Sequence, residues 1–454
     1  MKQYTPTFRG FDSFLGYYNS MEDYWTHYGP SATGPCTGID LSNNTKVDGI
    51  HAAARSLNGT YSSEMYGAEA VRVILAHVAE HAEVPFYMYL PFQSVHMPNE
   101  APAEMVDKYP ASMRNTARRS YLGMISAFDE ALGNVMDAMK ITGVWNNTIV
   151  FLTGDNGGPV WCSSMESCGT VAPYDYGPVS NYPLRSGKWT SWDGAFRVNA
   201  LFSSPLIPST RRNTSWGGMM HMSDIFPTFT ALAGLDAVND RRDGSQPLDG
   251  MNIWPAIIAG GASPRKEIAH TITNKWNVVN GVHDSIAPCN ACSQQKSPIP
   301  GKNCAAPFNT TVDPNGVSFR GCGGALQMGD LKLIVGYPGD TTLYGKPEMT
   351  VGQGGGHDNQ ANINKLPLLP CQTHCLFNTS ADPSETIDLT DDPRYAPELA
   401  NALARYAELT TQGRDILTLQ DMAQETGDVC ISNVNDSCAV AVKYGYVEPC
   451  GFEP

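Results

Sequence analysis

No stretch of this chain is long and apolar enough to cross a bilayer, and its opening residues, MKQYTPTFRGFDSF, lack the charged-then-apolar pattern of a secretion signal. Basic residues are scarce. Thirty Lys and Arg stand against 45 Asp and Glu, a net charge of -15. So acidic a chain has no general cationic face for phosphate backbones, which argues against a nucleic-acid partner. A small anionic substrate stays open, provided that its pocket is locally cationic. There is no internal repeat. What remains is 454 residues, 42% hydrophobic and 17% charged, enough for a real core and for two or three domains.

Cysteine, by contrast, is plentiful. Twelve is an even number, with close spacings at Cys162/Cys168, Cys289/Cys292, Cys371/Cys375 and Cys430/Cys438. Asn-x-Ser/Thr sequons begin at Asn43, Asn58, Asn146, Asn213, Asn309, Asn378 and Asn435. Together they point to disulfides, glycosylation and an oxidising secretory route, hence a secreted or lysosome-like location. The Cys289-x2-Cys292…Cys304…Cys322 series leaves zinc open as the minor alternative. A secretory composition without a signal is a conflict. The expectation that resolves it is a true start upstream of Met1.

Apolar periodicity predicts helices over 66–81 (Val71, Ile74, Leu75, Val78) and about 117–140, the latter stopped by Gly143. Residues 86–90, 148–152 and 198–202 read as short buried strands. "MSDIFPTFTALAGL" reads as a third helix, with Ser223 as its N-cap and Gly234 as its stop. Alternating helices and strands predict an α/β layer with a parallel sheet. In such sheets ligands sit beyond the carboxyl ends of the strands, where His96 and Asp155 fall. The domains expected are an α/β domain over 1–260, a smaller α+β subdomain over 261–420 containing the strand "DLKLIVGYPG" and a closing helix, and a cysteine-containing tail over 421–454.

Asp155 and Asn156 are adjacent hard oxygen donors of the kind that suit Ca²⁺ or Mg²⁺. Zinc would favour His or Cys. Gly157 and Gly158 would let backbone approach the ion. An Asx-type turn is the bland alternative. His96, in a loop with Gln93 and Ser94, is by default a hydrogen-bonded structural imidazole. Lys188, between Gly187 and Trp189, is either a point charge for an anion or a solvated lysine.

The order of motifs is more specific than any one of them. "RGFDSFLGYYNSMEDYWTHY", "FYMYLPFQSVHMP", "TIVFLTGDNGG", "NYPLRSGKWTSWDGAFRV", "HMSDIFPTFTALAGL", "PLDGMNIWPAI" and "FNTSADPSETIDLTDDP" follow one another over roughly residues 5–420. The series resembles the sulfatase family, particularly its arylsulfatase B-like branch. The resemblance implies an alkaline-phosphatase-like α/β fold with flanking helices and a small C-terminal antiparallel sheet. It implies hydrolysis of a small-molecule or glycan sulfate ester at one Ca²⁺. By motif, Asp155 and Asn156 look like metal ligands, His96 like the histidine on the substrate sulfate, and Lys188 like the lysine beside the ester oxygen. Arg197 and Asp224 look structural, as an ion pair and a helix start.

Family features are also missing. The nucleophile implied is a formylglycine made from the cysteine of Cys-x-Pro-Ser-Arg, and no Cys-x-Pro/Ala-x-Arg occurs. Cys36 precedes Thr-Gly-Ile-Asp and Cys162 precedes Ser-Ser-Met-Glu. The metal-binding Asp-Asp pair of the first strand is absent, and Asp391-Asp392 in "LTDDP" is no substitute. The expectation is a sulfatase lacking its N-terminal segment and inactive alone. The alternatives are a non-catalytic protein that binds sulfated glycans, and a two-zinc phosphoesterase, against which Asn156 argues. The sequence does not indicate an oligomeric state.

Overall fold

A computed structural model describes residues 5–18, 22–29, 38–46, 54–113, 116–160, 178–188, 190–235, 248–272, 277–279, 282–284, 324–335, 338 and 374–412. Of the twelve cysteines only Cys375 lies among these, and it is disulfide-bonded. The zinc alternative at Cys289–Cys322 and the tail from 421 lie outside them. The chain divides into two compact units. Described residues up to 145, with Pro178, belong to the first, and residues 146–160 and 179–412 to the second.

In the first unit, β1 (Ser13–Tyr17) and β2 (Leu41–Thr45) pair antiparallel, Ser13 opposite Thr45. The two predicted helices are present as α1 (Ser62–His81) and α3 (Thr116–Thr142), with the single turn α2 (Ala103–Val106) between them. Gly143, at φ 81°, ends α3. The buried stripe of α1 meets the one that periodicity indicates at Ile74, with Val71 and Val78 half-buried, but not at Leu75. Leu75 is 49% exposed, whereas Met65, Tyr66, Ala70 and Ile74 are buried. The reason is close helix packing. A Cβ on Gly67 would stand 2.9 Å from that of Ala131 in α3, so the small-residue face turns inward.

In the second unit, β3 (Val150–Thr153) pairs with β4 (Ala200–Ser203), with Phe151 against Phe202 at 4.7 Å. This ladder is antiparallel, as is every strand pair among the described residues, so the expected parallel pairing is not found there. Residues 86–90 keep a strand's alternating burial but pair with no strand among the described residues. Pairing is a non-local choice that an apolar run does not encode. The helix expected at "MSDIFPTFTALAGL" is α5 (Ile225–Leu232), which falls in the chain between the short helices α4 (Asp193–Phe196) and α6 (Trp254–Ala259) and ends at Gly234 with φ 75°. Its preceding turn is capped by His221 rather than by Ser223. The His221 ring accepts the Ser223 amide, and Asp224 accepts the His221 amide.

The C-terminal sheet is as expected. β5 (Glu267–Thr271), β8 (Gly324–Met328), β9 (Leu331–Val335) and β10 (His374–Asn378) form an antiparallel sheet of order β10-β9-β8-β5, while β6 (Asn277–Val279) and β7 (Val282–Asp284) form a separate hairpin. The period-two rule sorts the sheet's side chains. Leu326, Leu333 and Leu376 pack with Ala402 and Tyr406 of the closing helix α7 (Ala396–Gln412). Ala325, Ile334, Cys375 and Phe377 pack on Trp192 and Phe196. One sheet face therefore supports the segment that follows Lys188.

Candidate functional site

The loop after β3 carries Asp155 and Asn156, both exposed. Asp155 Oδ1 accepts the Asn156 amide at 2.7 Å, and Asn156 Nδ2 donates to the Gly157 carbonyl at 3.0 Å. That orientation leaves Asp155 Oδ2 and Asn156 Oδ1 without a donor among the described residues. The donor set fits a hard cation in kind, since both atoms are oxygens with lone pairs in hand. It is short in number, because Ca²⁺ takes six to eight oxygens. No group of three or more His, Cys, Asp or Glu side chains able to share an ion occurs among the described residues.

The two glycines do something other than admit an ion. A Cβ on Gly157 would lie 1.7 Å from the Gly194 carbonyl oxygen, and one on Gly158 would lie 2.1 Å from Val179 Cγ1. Both pack against protein, and the Gly157 amide donates to the Ala195 carbonyl at 2.9 Å. On the Lys188 side, a Cβ on Gly187 would meet the Gly158 oxygen at 2.1 Å, and the Lys188 amide donates to that oxygen at 3.3 Å. Three segments thus meet backbone to backbone, and the structure brings Asp155, Asn156 and Lys188 into one such knot.

His96 lies in the first unit, exposed, on a loop held from several sides. Tyr24 donates its hydroxyl hydrogen to the His96 carbonyl at 2.9 Å, Ser63 and Ser94 share a hydrogen bond at 2.7 Å, and Gln93 Nε2 donates to the Glu22 carbonyl. His96 Nδ1 is 3.0 Å from the Met97 carbonyl, which only accepts, so Nδ1 carries the proton and Nε2 is left for a ligand.

Sequence reasoning missed the buried charges beneath the knot. Lys332 is fully buried, with Nζ 2.7 Å from Asp193 Oδ1 and 2.8 Å from Glu385 Oε1. Glu385 Oε2 accepts the Asp193 amide at 2.7 Å, and Arg185 donates to the Glu385 carbonyl at 2.7 Å while its guanidinium lies 4.2 Å over Trp192. Burial works against the Lys332 charge, but Glu385 and Asp193 hold its pKa above the ordinary lysine value. Burial would likewise raise Asp193, yet Lys332, His270 and Arg197 keep it low. For Glu385 burial outweighs Lys332 and the pKa rises. One signal was available: a lysine inside the apolar strand "DLKLIVG" implies a paired buried charge. The structural roles expected of Arg197 and Asp224 match the contacts. Arg197 reaches Asp193 at 3.8 Å, and Asp224 both caps the turn before α5 and binds Arg265. Asp392, excluded as a metal ligand, is held by Arg394.

A family model described as Sulfatase matches residues 2–235. Arylsulfatase J of Mus musculus is 30% identical over 407 residues, covering 90% of this chain and 57% of that protein. N-acetylgalactosamine-6-sulfatase of Homo sapiens is 26% identical over 57% of this chain and 44% of its own length. The chain thus spans about half the length of these curated relatives. Among solved structures, Ps i-CgsB in complex with k-i-k-neocarrahexaose superposes with a TM-score of 0.60 at 19% identity, covering 96% of this chain and 74% of that one. The PsFucS1 sulfatase from Pseudoalteromonas sp. gives 0.54 at 17% identity, covering 90% and 68%. These likenesses establish an alkaline-phosphatase-like fold.

Proposed function

Because the chain belongs to the sulfatase family, we propose that it is a sulfuric ester hydrolase, or the larger part of one, whose site holds Ca²⁺ on Asp155 and Asn156. The observation that carries this reading is the pair of exposed, donor-free oxygens at the end of β3, clamped by backbone to the loop of Lys188. Bound Ca²⁺ would supply positive charge against the non-bridging sulfate oxygens. Lys188 would place a point charge beside the ester oxygen of a bound sulfate, the atom on which negative charge would grow if a nucleophile displaced it. His96 is assigned a substrate contact from its own loop, through Nε2, the ring atom that the bond from Nδ1 to the Met97 carbonyl leaves over.

The substrate class proposed is a sulfate monoester on a small molecule or glycan. Support comes from the oligosaccharide named with Ps i-CgsB. The compartment proposed is secreted or lysosome-like. Asn43, Asn58, Asn146 and Asn213 are exposed sequon sites, whereas Asn378 Oδ1 accepts the Ala381 amide at 2.9 Å. Expression through a secretory pathway followed by glycosidase treatment should reveal glycans on the first four.

With no Cys-x-Pro/Ala-x-Arg in the sequence, the 454-residue chain binds sulfate esters without turning them over. The test incubates the purified chain with an aryl sulfate and Ca²⁺ and, separately, titrates it with a sulfated oligosaccharide. Binding without release of sulfate is expected. Calcium-dependent hydrolysis would contradict the inactivity, and two bound zinc ions by elemental analysis would replace the sulfatase reading with a phosphoesterase.

A further inference from the structure

Asn181 uses its whole carboxamide on two loops. Nδ2 donates to the Gly158 carbonyl at 2.8 Å and to the Ser186 carbonyl at 2.9 Å, and Oδ1 accepts the Gly158 amide at 3.1 Å. Gly158 closes the loop of Asp155 and Asn156, while Ser186 lies two residues before Lys188. The two loops already touch: the Gly158 oxygen also accepts the Lys188 amide, and a Cβ on Gly187 would stand 2.7 Å from Asn181 Nδ2. Two donors and an acceptor in one short planar group are what this gap requires. Aspartate carries no donor, and serine carries one.

We propose that Asn181 is a positioning residue which couples the cation-holding loop of Asp155 and Asn156 to the anion-holding loop of Lys188. Displacement of either loop breaks hydrogen bonds that anchor the other, so a ligand that orders one loop prepares the other. This rests on the reading of Asp155, Asn156 and Lys188 given above.

The test is a double titration of the full chain by calorimetry. Ca²⁺ is titrated with and without inorganic sulfate, and sulfate with and without Ca²⁺. In the wild-type chain each ligand tightens the other by the same factor, as linkage requires. In Asn181→Ala that factor falls about five-fold, the worth of one typical hydrogen bond, while Ca²⁺ affinity measured alone changes less than about two-fold. Asn181→Ser, which keeps one donor, shows an intermediate factor and serves if the alanine variant folds poorly. A mere packing role would weaken both affinities and leave the coupling factor unchanged, which overturns the inference. An unchanged factor with unchanged affinities also overturns it. If the wild-type chain binds neither ion, the site reading itself fails, and Asn181 falls with it.

Discussion

Replacing Lys332 by methionine removes the one cation that lies between two buried carboxylates, and its cost can be worked from the distances. Each pair, at 2.7 and 2.8 Å, is worth about 6 kcal/mol of attraction at an effective dielectric near 20. Desolvating three charges takes back much of that, so the intact triad contributes little net stability. The variant is a different matter: Asp193 and Glu385 stay buried with no countercharge from β9, and breaking a buried pair this way costs about 3–5 kcal/mol. The loss should also depend on pH. Without Lys332, Glu385, already pushed up by burial, takes up a proton more readily folded than unfolded, while Asp193 keeps Arg197 at 3.8 Å. The folded pKa of Glu385 then lies further above the unfolded one, and stability falls as pH rises through it. Urea unfolding followed by tryptophan fluorescence should give a lower midpoint for Lys332→Met at pH 8 than at pH 5. Adding Asp193→Asn and Glu385→Gln should recover part of the loss. A midpoint shift equivalent to less than about 1 kcal/mol, or one independent of pH, would refute the argument that an uncompensated buried charge is the main cost.

Glu22 offers a second pH test. Burial first, then Asp40 and Asp23, push its carboxyl up to about 9, while burial lowers the pKa of His27. The 3.6 Å Glu22–His27 pair is therefore neutral at pH 7. With the folded pKa raised, stability is complete below the unfolded value near 4.5 and is lost as pH rises toward 9. Glu22→Gln should flatten that decline, measured as thermal midpoints from pH 5 to 9; an unchanged slope would count against it. Gly157→Ala should destabilise by about 1–3 kcal/mol or more, because its Cβ meets backbone at 1.7 Å. Gly133→Ala, exposed within α3 with no atom within 4 Å of the new Cβ, should stabilise by about 1 kcal/mol. Equal effects of these two substitutions in denaturant titrations would contradict the packing account of the knot.

Local pattern made some of this structure legible. The apolar spacing of 117–140 and the stop at Gly143 located α3, and "DLKLIVGYPG" located β9. The polar cluster after residue 152 did mark a strand end. The misses are non-local. Which face of α1 turns inward was decided by Gly67 against Ala131, 64 positions apart in the chain. The need for glycine at Gly157 was decided by the carbonyl of Gly194, and the use of Asn181 by groups on two other segments. None of these leaves a periodic trace. The motif order singled out Asp155, Asn156 and Lys188, whose loops the structure joins by backbone, whereas packing accounts for the glycines among them.

Calcium titration of the full chain by calorimetry, comparing wild type with Asp155→Ala and Asn156→Ala, probes the proposed cation site itself. Wild type should show a single site, tighter for Ca²⁺ than for Mg²⁺, with a Kd of about 10⁻⁴–10⁻³ M, as for a sparse oxygen donor set, and the Asp155 variant should lose it. Calcium binding that persists unchanged in both variants, or no binding by the wild-type chain at all, would contradict the proposed site.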